Sequence, residues 1–291
     1  MLKWHILCVF LWCNICLGQK KESEPAISVI FPKALGRDQK NSYPYQLIGL
    51  ALEKAKVKAE ITLSKNYISD EVAHLILSKN EKTISVMYSG TRQVLEDTLL
   101  PVRIPIFGGL LGYRLFFINK NDELQFSQIK TLKDLQKKVA GQGKFWPDVS
   151  ILRAAQLQVR TAPYHQLFKW VQQREIDYFP RGISEIFGEY ERRKNEFPLL
   201  SIEPNIILVY PLTSFYFVSR QNPELHALIE RGLKQAHRDG SFKAFFNDHP
   251  ETQKILKRSN IKQRIKIHIN NPELTHETRN IPRVYWYNDT W

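Results

Sequence analysis

Apolar and polar positions alternate in blocks along the first third of the chain. Runs rich in β-branched and aromatic residues predict strands, and apolar residues at helical spacing between those runs predict helices. Strands and helices in this order predict a parallel sheet with crossover helices. The predicted strands are 26–32, 59–65 and 82–90, and the predicted helices are 45–57 and 69–80.

The same alternation repeats in the middle of the chain and predicts a second α/β unit. Within it, a short strand is followed by a glycine-rich turn at 141–148 and then by a helix. The predicted strands are 113–121, the start of 139–157, and 159–163, and the predicted helices are 131–138, the end of 139–157, 164–176 and 183–195.

Two further strands, at 205–213 and 214–220, precede a pair of helices over 222–248 that divides near Asp239. The tail, 259–291, contains a strand-like run and ends in several aromatic residues. Free tails rarely carry so many aromatic side chains, so we expect the tail to pack on the body of the protein. The whole pattern predicts an α/β fold.

Residues 1–18 differ from the rest of the chain. A lysine precedes an apolar run from Ile6 to Leu17 that is broken by Asn14, and Gly18 closes the segment. This plan predicts a secretory signal peptide and therefore a periplasmic protein. The run is shorter than the roughly 20 residues that a membrane-spanning helix needs, and an uncleaved anchor is the alternative.

All three cysteines, Cys8, Cys13 and Cys16, lie within that segment, so the mature protein is expected to have none. Without cysteine it has no disulfide, no thiol nucleophile and no thiolate-bound metal. The histidines show no metal-binding spacing, and the chain has neither a G-x-S-x-G elbow nor a Walker loop. We therefore expect no cofactor, no metal and no enzymatic activity.

The chain of 291 residues has 43% hydrophobic and 24% charged residues, which is typical of a soluble globular protein. Its formal net charge is +13, with clusters of basic residues at 191–194 and 254–266. In a cytoplasmic protein this charge would suggest nucleic-acid binding, but export argues against that partner. One interpretation is a basic solvated surface, and the other is attraction of an anionic ligand or partner.

Five stretches of the chain carry a resemblance to a known family: PYQLIGLALEKA (44–55), SGTRQ (89–93), LKDLQKKVAGQG (132–143), DYFPRGISEI (177–186) and NPELHALIERGLKQAHRDGSF (222–242). In this order they resemble the type II periplasmic solute-binding proteins, in particular the family 3, amino-acid-binding group. The last stretch has the family's two helices divided by an Asp-Gly turn. The resemblance covers nearly the whole mature chain.

The resemblance implies two α/β lobes joined by two crossing strands, near 113–120 and 207–213, which close on a ligand between them. The implied boundaries are a signal peptide over 1–18, lobe 1 over 19–116 and 213–291, and lobe 2 over 117–212, with the tail as a C-terminal extension of lobe 1.

The resemblance also implies which residues bind the ligand. Arg92 falls where family members keep an arginine that binds the α-carboxylate of the ligand, and Arg103 is a rival farther along the chain. A guanidinium suits this role because its planar fork pairs with both carboxylate oxygens. A solvated arginine at the start of a helix is the alternative for Arg92.

The segment GQGKFWPD (141–148) falls where the family has a loop whose backbone N–H groups bind the ligand. Gly141 and Gly143 let the backbone approach closely, and the following helix offers its positive N-terminal end. Gln142 adds a side-chain contact. Trp146 is either an apolar wall of the site or a core residue.

Amino-acid binders of the family hold the ammonium group of the ligand with an acid a few residues after the equivalent of Asp177. That position is about Gly182 here and carries no acid; Arg181 is its neighbour, and Glu185 is the nearest carboxylate. We therefore expect Arg181 to contact an anionic or polar ligand. The alternative is a surface salt bridge from Arg181 to Glu185 or Asp177, which would contribute little to stability.

Aromatic residues complete the predicted site. Tyr45 follows the first strand, where the family often places a ring over the ligand, and Tyr88 ends the third strand. Rings together with a few polar groups suit a ligand pocket. The predicted ligand-binding residues are Arg92, Arg181, Gly141, Gln142, Gly143, Tyr45, Tyr88, Arg103, Trp146 and Glu185.

The resemblance implies a periplasmic solute-binding protein that captures a small, anionic or polar solute for an ABC-type importer. One alternative is an extracytoplasmic sensory module that reports ligand occupancy to a membrane receptor, and another is an exported dehydratase on the same fold. The expected partners are the small-molecule ligand and a membrane permease or sensor receptor. We expect no nucleic acid, and we expect a monomer.

Overall fold

The computed structural model describes residues 26–34, 39–144 and 146–288. The predicted signal peptide at 1–18 lies outside these ranges. Among the described residues, no helix combines the length and the apolar character that crossing a membrane requires.

Within these ranges the chain forms twelve strands and twelve helices, and most of the predicted strand–helix order is present. The strands are β1 (Ile27–Lys33), β2 (Ala59–Tyr67), β3 (Met87–Gly90), β4 (Leu99–Val102), β5 (Tyr113–Asn119), β6 (Val139–Gly143), β7 (Gln158–Ala162), β8 (Tyr178–Gly182), β9 (Leu200–Ile202), β10 (Ile206–Val209), β11 (Ser214–Ser219) and β12 (Ile265–His268). The helices are α1 (Tyr43–Lys54), α2 (Asp70–Ser78), α3 (Gln93–Thr98), α4 (Glu123–Ser127), α5 (Leu132–Leu135), α6 (Asp148–Ala154), α7 (Tyr164–Gln173), α8 (Ile186–Arg193), α9 (Pro223–Arg238), α10 (Ser241–Asp248), α11 (Pro250–Ser259) and α12 (His276–Arg279).

The strands form three sheets among the described residues. Strands β1 and β2 pair in parallel, and β11 lies between β3 and β4 in an antiparallel sheet. The third sheet has the strand order β12–β10–β5–β8–β6–β7, with β9 paired to β5. We call the body around the first two sheets lobe 1, and the body around the third sheet lobe 2.

Three stretches differ from the sequence predictions. The third strand begins at Met87 and not at residue 82. The stretch that follows the predicted helix 164–176 forms the fully buried strand β8, because β5 pairs with it on one side and β6 on the other. Helix α11 forms where the sequence pattern predicts no helix; Pro250 opens it and the side chain of His249 caps it.

Two connections carry the chain between the lobes, and they lie side by side. Strand β5 follows the first connection and β10 precedes the second, and the two strands pair at Tyr113 and Val209. Next to this pair, the amide of Tyr210 donates to the carbonyl of Gly112 at 3.1 Å. A Cβ on Gly112 would lie 1.8 Å from the carbonyl oxygen of Tyr210, so only glycine fits between the two connections.

Helices α1 and α9 make the most extensive helix–helix contact of lobe 1. Leu47 on α1 and Ile229 and Leu233 on α9 are fully buried in one apolar cluster. Gly232 lies directly against the α1 backbone, since a Cβ there would be 1.7 Å from the carbonyl oxygen of Ala51. The missing side chain lets the two helix axes approach closely.

The C-terminal segment contacts both lobes. Strand β12 pairs in parallel with β10 at the edge of the lobe 2 sheet. Beyond β12 the chain packs on lobe 1, where Ile281 is buried in the same apolar cluster as Leu95 and Phe215. The tail that the sequence analysis places with lobe 1 therefore adds a strand to lobe 2, while the lobe boundaries themselves remain a prediction.

We expect Gly232→Ala to lower the free energy of unfolding by about 1–3 kcal/mol or more, because its methyl group would overlap the α1 backbone. Gly49→Ala is the matched control: its Cβ would meet only Ile61, at 3.7 Å, and alanine stabilises a helix interior by about 0.5–1 kcal/mol relative to glycine. Equilibrium unfolding in guanidinium measures both changes. Equal effects of the two substitutions would contradict the close approach of α1 and α9.

Candidate functional site

A cleft of about 790 Å³ lies between the two lobes. That volume is within the usual range of small-molecule sites in proteins. Lobe 1 lines it with the ends of β1 and β3, the starts of α1 and α2, and helix α11, and lobe 2 lines it with residues 183–192. Apolar side chains on the lining include Tyr88, Phe107, Leu110 and Leu111.

Helix α8 and its N-cap present four residues to the cleft on one face. Glu185, Gly188, Glu189 and Arg192 stand at positions i, i+3, i+4 and i+7, which is the spacing of one side of a helix. A Cβ on Gly188 would be 3.3 Å from Nη1 of Arg192, so the guanidinium bends back over this glycine. Arg192 makes no ion pair with another described residue.

Arg181 lies behind this wall and is almost fully buried. Its guanidinium donates to both carboxylate oxygens of Glu189, at 2.8 and 2.7 Å, and lies 3.2 Å from Glu185. The same group stacks on the ring of Trp146, 4.5 Å from its centroid. Burial opposes the charge, but Glu189 and Glu185 outweigh it and hold the pKa of Arg181 above its usual value.

A second buried arginine extends the network toward the connections between the lobes. Arg114 on β5 lies 2.9 Å from the carboxylate of Asp148 and 3.8 Å from that of Glu185. Its Nε donates to the hydroxyl of Tyr210 at 2.7 Å, and this hydroxyl donates in turn to Asp148. The network therefore contains two guanidinium groups and three carboxylates, and it has a net charge of −1 when all five are ionised. The groups are those of Arg114, Arg181, Asp148, Glu185 and Glu189.

The opposite wall of the cleft is also acidic. Glu251 on α11 accepts a hydrogen bond from the backbone amide of Tyr43, at 2.8 Å, where α1 begins. Asp70, the first residue of α2, lines the cleft as well. Together with Glu185 at the N-cap of α8 and Glu189 within it, four carboxylates and one guanidinium, that of Arg192, line the cleft among the described residues.

Two of the ten predicted ligand-binding residues, Tyr88 and Glu185, line this cleft. Arg92 is the exposed N-cap of α3 and lies off the lining. Arg103 donates to the buried carboxylate of Glu96 at 2.9 Å and also lies off the lining. The structure therefore does not bring these two arginines to the cleft with Tyr88 and Glu185.

The predicted glycine-rich loop is packed inside lobe 2. A Cβ on Gly141 would meet Ile176 at 2.2 Å, and one on Gly143 would meet Trp146 at 2.4 Å. Gln142 is fully buried and donates to the carbonyl of Pro180 at 3.4 Å. The close approach expected from these glycines is therefore made to other parts of lobe 2.

Tyr45 also lies off the cleft lining. Its hydroxyl donates to the carbonyl of Ile61 at 2.7 Å, and its ring packs edge-on against Phe31. These contacts are internal to lobe 1.

Several cleft residues are absent from the sequence-based list. The sequence pattern could have indicated Glu189 and Arg192 on α8, because they repeat the helical spacing of Glu185 within the predicted helix 183–195. No sequence pattern indicates Glu251 as a cleft residue, because the helix that carries it, α11, is not predicted.

We expect Arg181→Met to lower the free energy of unfolding by about 3–5 kcal/mol, because it leaves the carboxylate of Glu189 buried without its partner. Arg181→Met/Glu189→Met removes both charges and should recover most of the loss. Lys194→Met is the control, since its ion pair with Glu191 is exposed and a surface pair contributes about 0–1 kcal/mol. Denaturant unfolding of the three variants measures these differences. A double variant no more stable than Arg181→Met would contradict the pairing.

No protein-family model matches the chain, and no curated protein matches it in sequence.

Two examples represent the solved structures with a similar fold. The second substrate-binding domain of a putative amino acid ABC transporter from Streptococcus pneumoniae Canada MDR_19A is 15% identical, with a TM-score of 0.50, and the match covers 77% of this chain and 99% of that one. Substrate-binding domain 2 of GlnP from Lactococcus lactis, in an open conformation, is 14% identical, with a TM-score of 0.50, and the match covers 79% and 96%.

At these identities the similarity concerns the fold alone. The matches cover most of the chain, and they agree with the two lobes and the paired connections described above. The predicted fold class is therefore confirmed: the chain has the type II periplasmic-binding-protein fold, with two α/β lobes joined by two crossing strands.

Proposed function

We propose that the chain is an extracytoplasmic solute-binding protein that encloses a small polar solute between its lobes for an ABC-type importer. The observation that carries the proposal is the cleft, which both lobes line with apolar side chains and convergent ionisable groups. This composition is typical of small-molecule sites. The two solved structures compared above are named as substrate-binding domains, which supports binding over catalysis.

The charges of the lining support a solute with a cationic group in place of the anionic solute expected from Arg181. Of the residues that the structure describes, four carboxylates and one guanidinium line the cleft, although the whole chain carries a net charge of +13. The positive charge of Arg181 is already paired with Glu189 and Glu185. A cationic group of the solute beside Glu185 would balance the excess negative charge of the buried network.

Arg192 supports a negative group on the same solute. Its guanidinium lies over Gly188, one helical turn from Glu185, so the two opposite charges stand on the same face of α8. We therefore propose a zwitterionic solute whose cationic group pairs with Glu185 and whose anionic group pairs with Arg192. Charge-assisted hydrogen bonds of this kind are stronger than neutral ones and fix orientation. Tyr88 keeps its predicted role as an aromatic contact.

The predicted signal peptide at 1–18 supports a periplasmic location for this activity. A membrane permease as partner is proposed because one of the two solved structures is named as part of a putative amino acid ABC transporter.

The test is native mass spectrometry of the purified mature protein for a co-purified solute, followed by a thermal-shift panel. Each amino acid in the panel is compared with its decarboxylated amine and its deaminated acid, so that each charge is removed separately. A ligand that binds the folded state raises Tm by mass action. We expect the zwitterion to give the largest shift. A largest shift from the deaminated acid would restore the anionic solute, and no shift with no co-purified solute would contradict a binding role for these compounds.

We expect Glu185→Gln and Arg192→Gln each to weaken the Kd of the identified solute by about 10- to 100-fold, the loss expected for one charge-assisted hydrogen bond. Arg238→Gln is the matched control, because this exposed arginine on α9 lies off the cleft lining. Isothermal titration calorimetry measures the three values. An unchanged Kd in both cleft variants would contradict the zwitterion proposal.

A further inference from the structure

We propose that the C-terminal segment 264–288, here called the C-terminal strap, holds the two lobes at one angle and limits the opening of the cleft. The strap is attached to lobe 2 at its start, to lobe 1 through Thr275 and Thr278, and to both connections between the lobes. The inference rests on the proposed function only in taking movement between the lobes as the working motion, and it does not depend on which solute binds.

The start of the strap is fixed to lobe 2. Strand β12 pairs with β10 along its whole length, from Ile265 to His268. Ile267 and Ile269 are buried in the apolar cluster of lobe 2. The guanidinium of Arg264 donates to the carbonyls of Glu203 and Ile206 beside β10. This part of the strap therefore moves with lobe 2.

The next part of the strap is fixed to lobe 1 through the buried carboxylate of Glu96 on α3. The hydroxyls of Thr275 and Thr278 each donate to this carboxylate at 2.8 Å. Thr91 and Arg103, both of lobe 1, donate to the same group. A buried carboxylate that loses hydrogen bonds is destabilised, so the four donors resist separation of the strap from α3.

The end of the strap packs on the first connection between the lobes. The amide of Tyr287 donates to the carbonyl of Gly108 at 2.7 Å. The indole ring of Trp286 covers Gly109, where a Cβ would lie 2.3 Å from the ring. Phe107, Leu110 and Leu111 of the same loop line the cleft instead. The loop thus separates the cleft from the strap, and a change of angle at this loop must displace the strap.

The part of the strap between its attachments to lobe 2 and lobe 1 is itself held by hydrogen bonds. Asn271 is buried, and its amide donates to the carbonyl of Pro211 in the second connection at 2.8 Å. Its side-chain oxygen accepts from the backbone amide of Glu273 at 2.9 Å. Because this part of the strap is hydrogen-bonded to the second connection, the angle between the lobes cannot change widely while all these contacts persist.

The experiment measures the distance between the lobes by double electron–electron resonance in the full chain, with any co-purified solute removed. Spin labels are placed at Glu53→Cys on α1 and Lys169→Cys on α7, two exposed positions, one in each lobe. The native cysteines Cys8, Cys13 and Cys16 are replaced by serine. No ligand is added, so a failure of the solute proposal does not change the interpretation. With the native strap we expect one narrow distance population.

Thr275→Val/Thr278→Val removes two hydrogen bonds to Glu96 while keeping the side-chain volumes, and leaves Arg103 to pair with the carboxylate. We expect a second population displaced by more than about 2 Å, the size of a domain rearrangement. Thr83→Val/Thr161→Val, away from the strap, is the matched control and should keep one population.

Trp286→Ala removes the ring that covers Gly109 without touching Glu96 or the connection itself, and it replaces the double threonine variant should that variant fail to fold. We expect the same second population from it. Two populations with the native strap, or a single unchanged population in the strap variants, would overturn the proposal.

Discussion

The two connections between the lobes meet in backbone contact at Gly112 and Tyr210, and the rest of the structure is arranged around that contact. Strands β5 and β10 run from it into the lobe 2 sheet as an antiparallel pair. The hydroxyl of Tyr210 lies between Arg114 and Asp148, so the charged network behind the cleft begins at the same point. Any side chain at residue 112 would separate the connections and disturb both the sheet and that network.

The protein separates its charges by location. The surplus of basic residues is spread over the outside of a chain with a net charge of +13, whereas carboxylates predominate among the described residues of the cleft. Arg181 and Arg114 stabilise those carboxylates from behind, at depths where an unpaired carboxylate would be strongly destabilising. Net charge is thus a poor guide to the charge of the described cleft lining, because it reports the outer surface and not the site.

The fold is more predictable from the sequence than the site is. Strand and helix periods are local, so the alternation along the chain predicts most elements of both lobes. The pairing of Arg181 with Glu189 depends on how α8 lies against β8, and no local pattern specifies that arrangement. Glycine shows the same limit: the sequence predicts that the backbone at Gly141 and Gly143 approaches a ligand, whereas the side chains of Ile176 and Trp146 pack against these two glycines.

The parallel pairing of β12 with β10 also bears on the order of folding. The intervening chain builds β11 and helices α9 to α11, so β10 remains an uncovered sheet edge until the C-terminal end is available. Uncovered edges pair wrongly with other strands, and pairs distant in sequence form slowly. Lobe 1 likewise lacks β11 until late. The chain therefore supplies β11 and helices α9 to α11 before it supplies β12, and we expect lobe 2 to complete its sheet last.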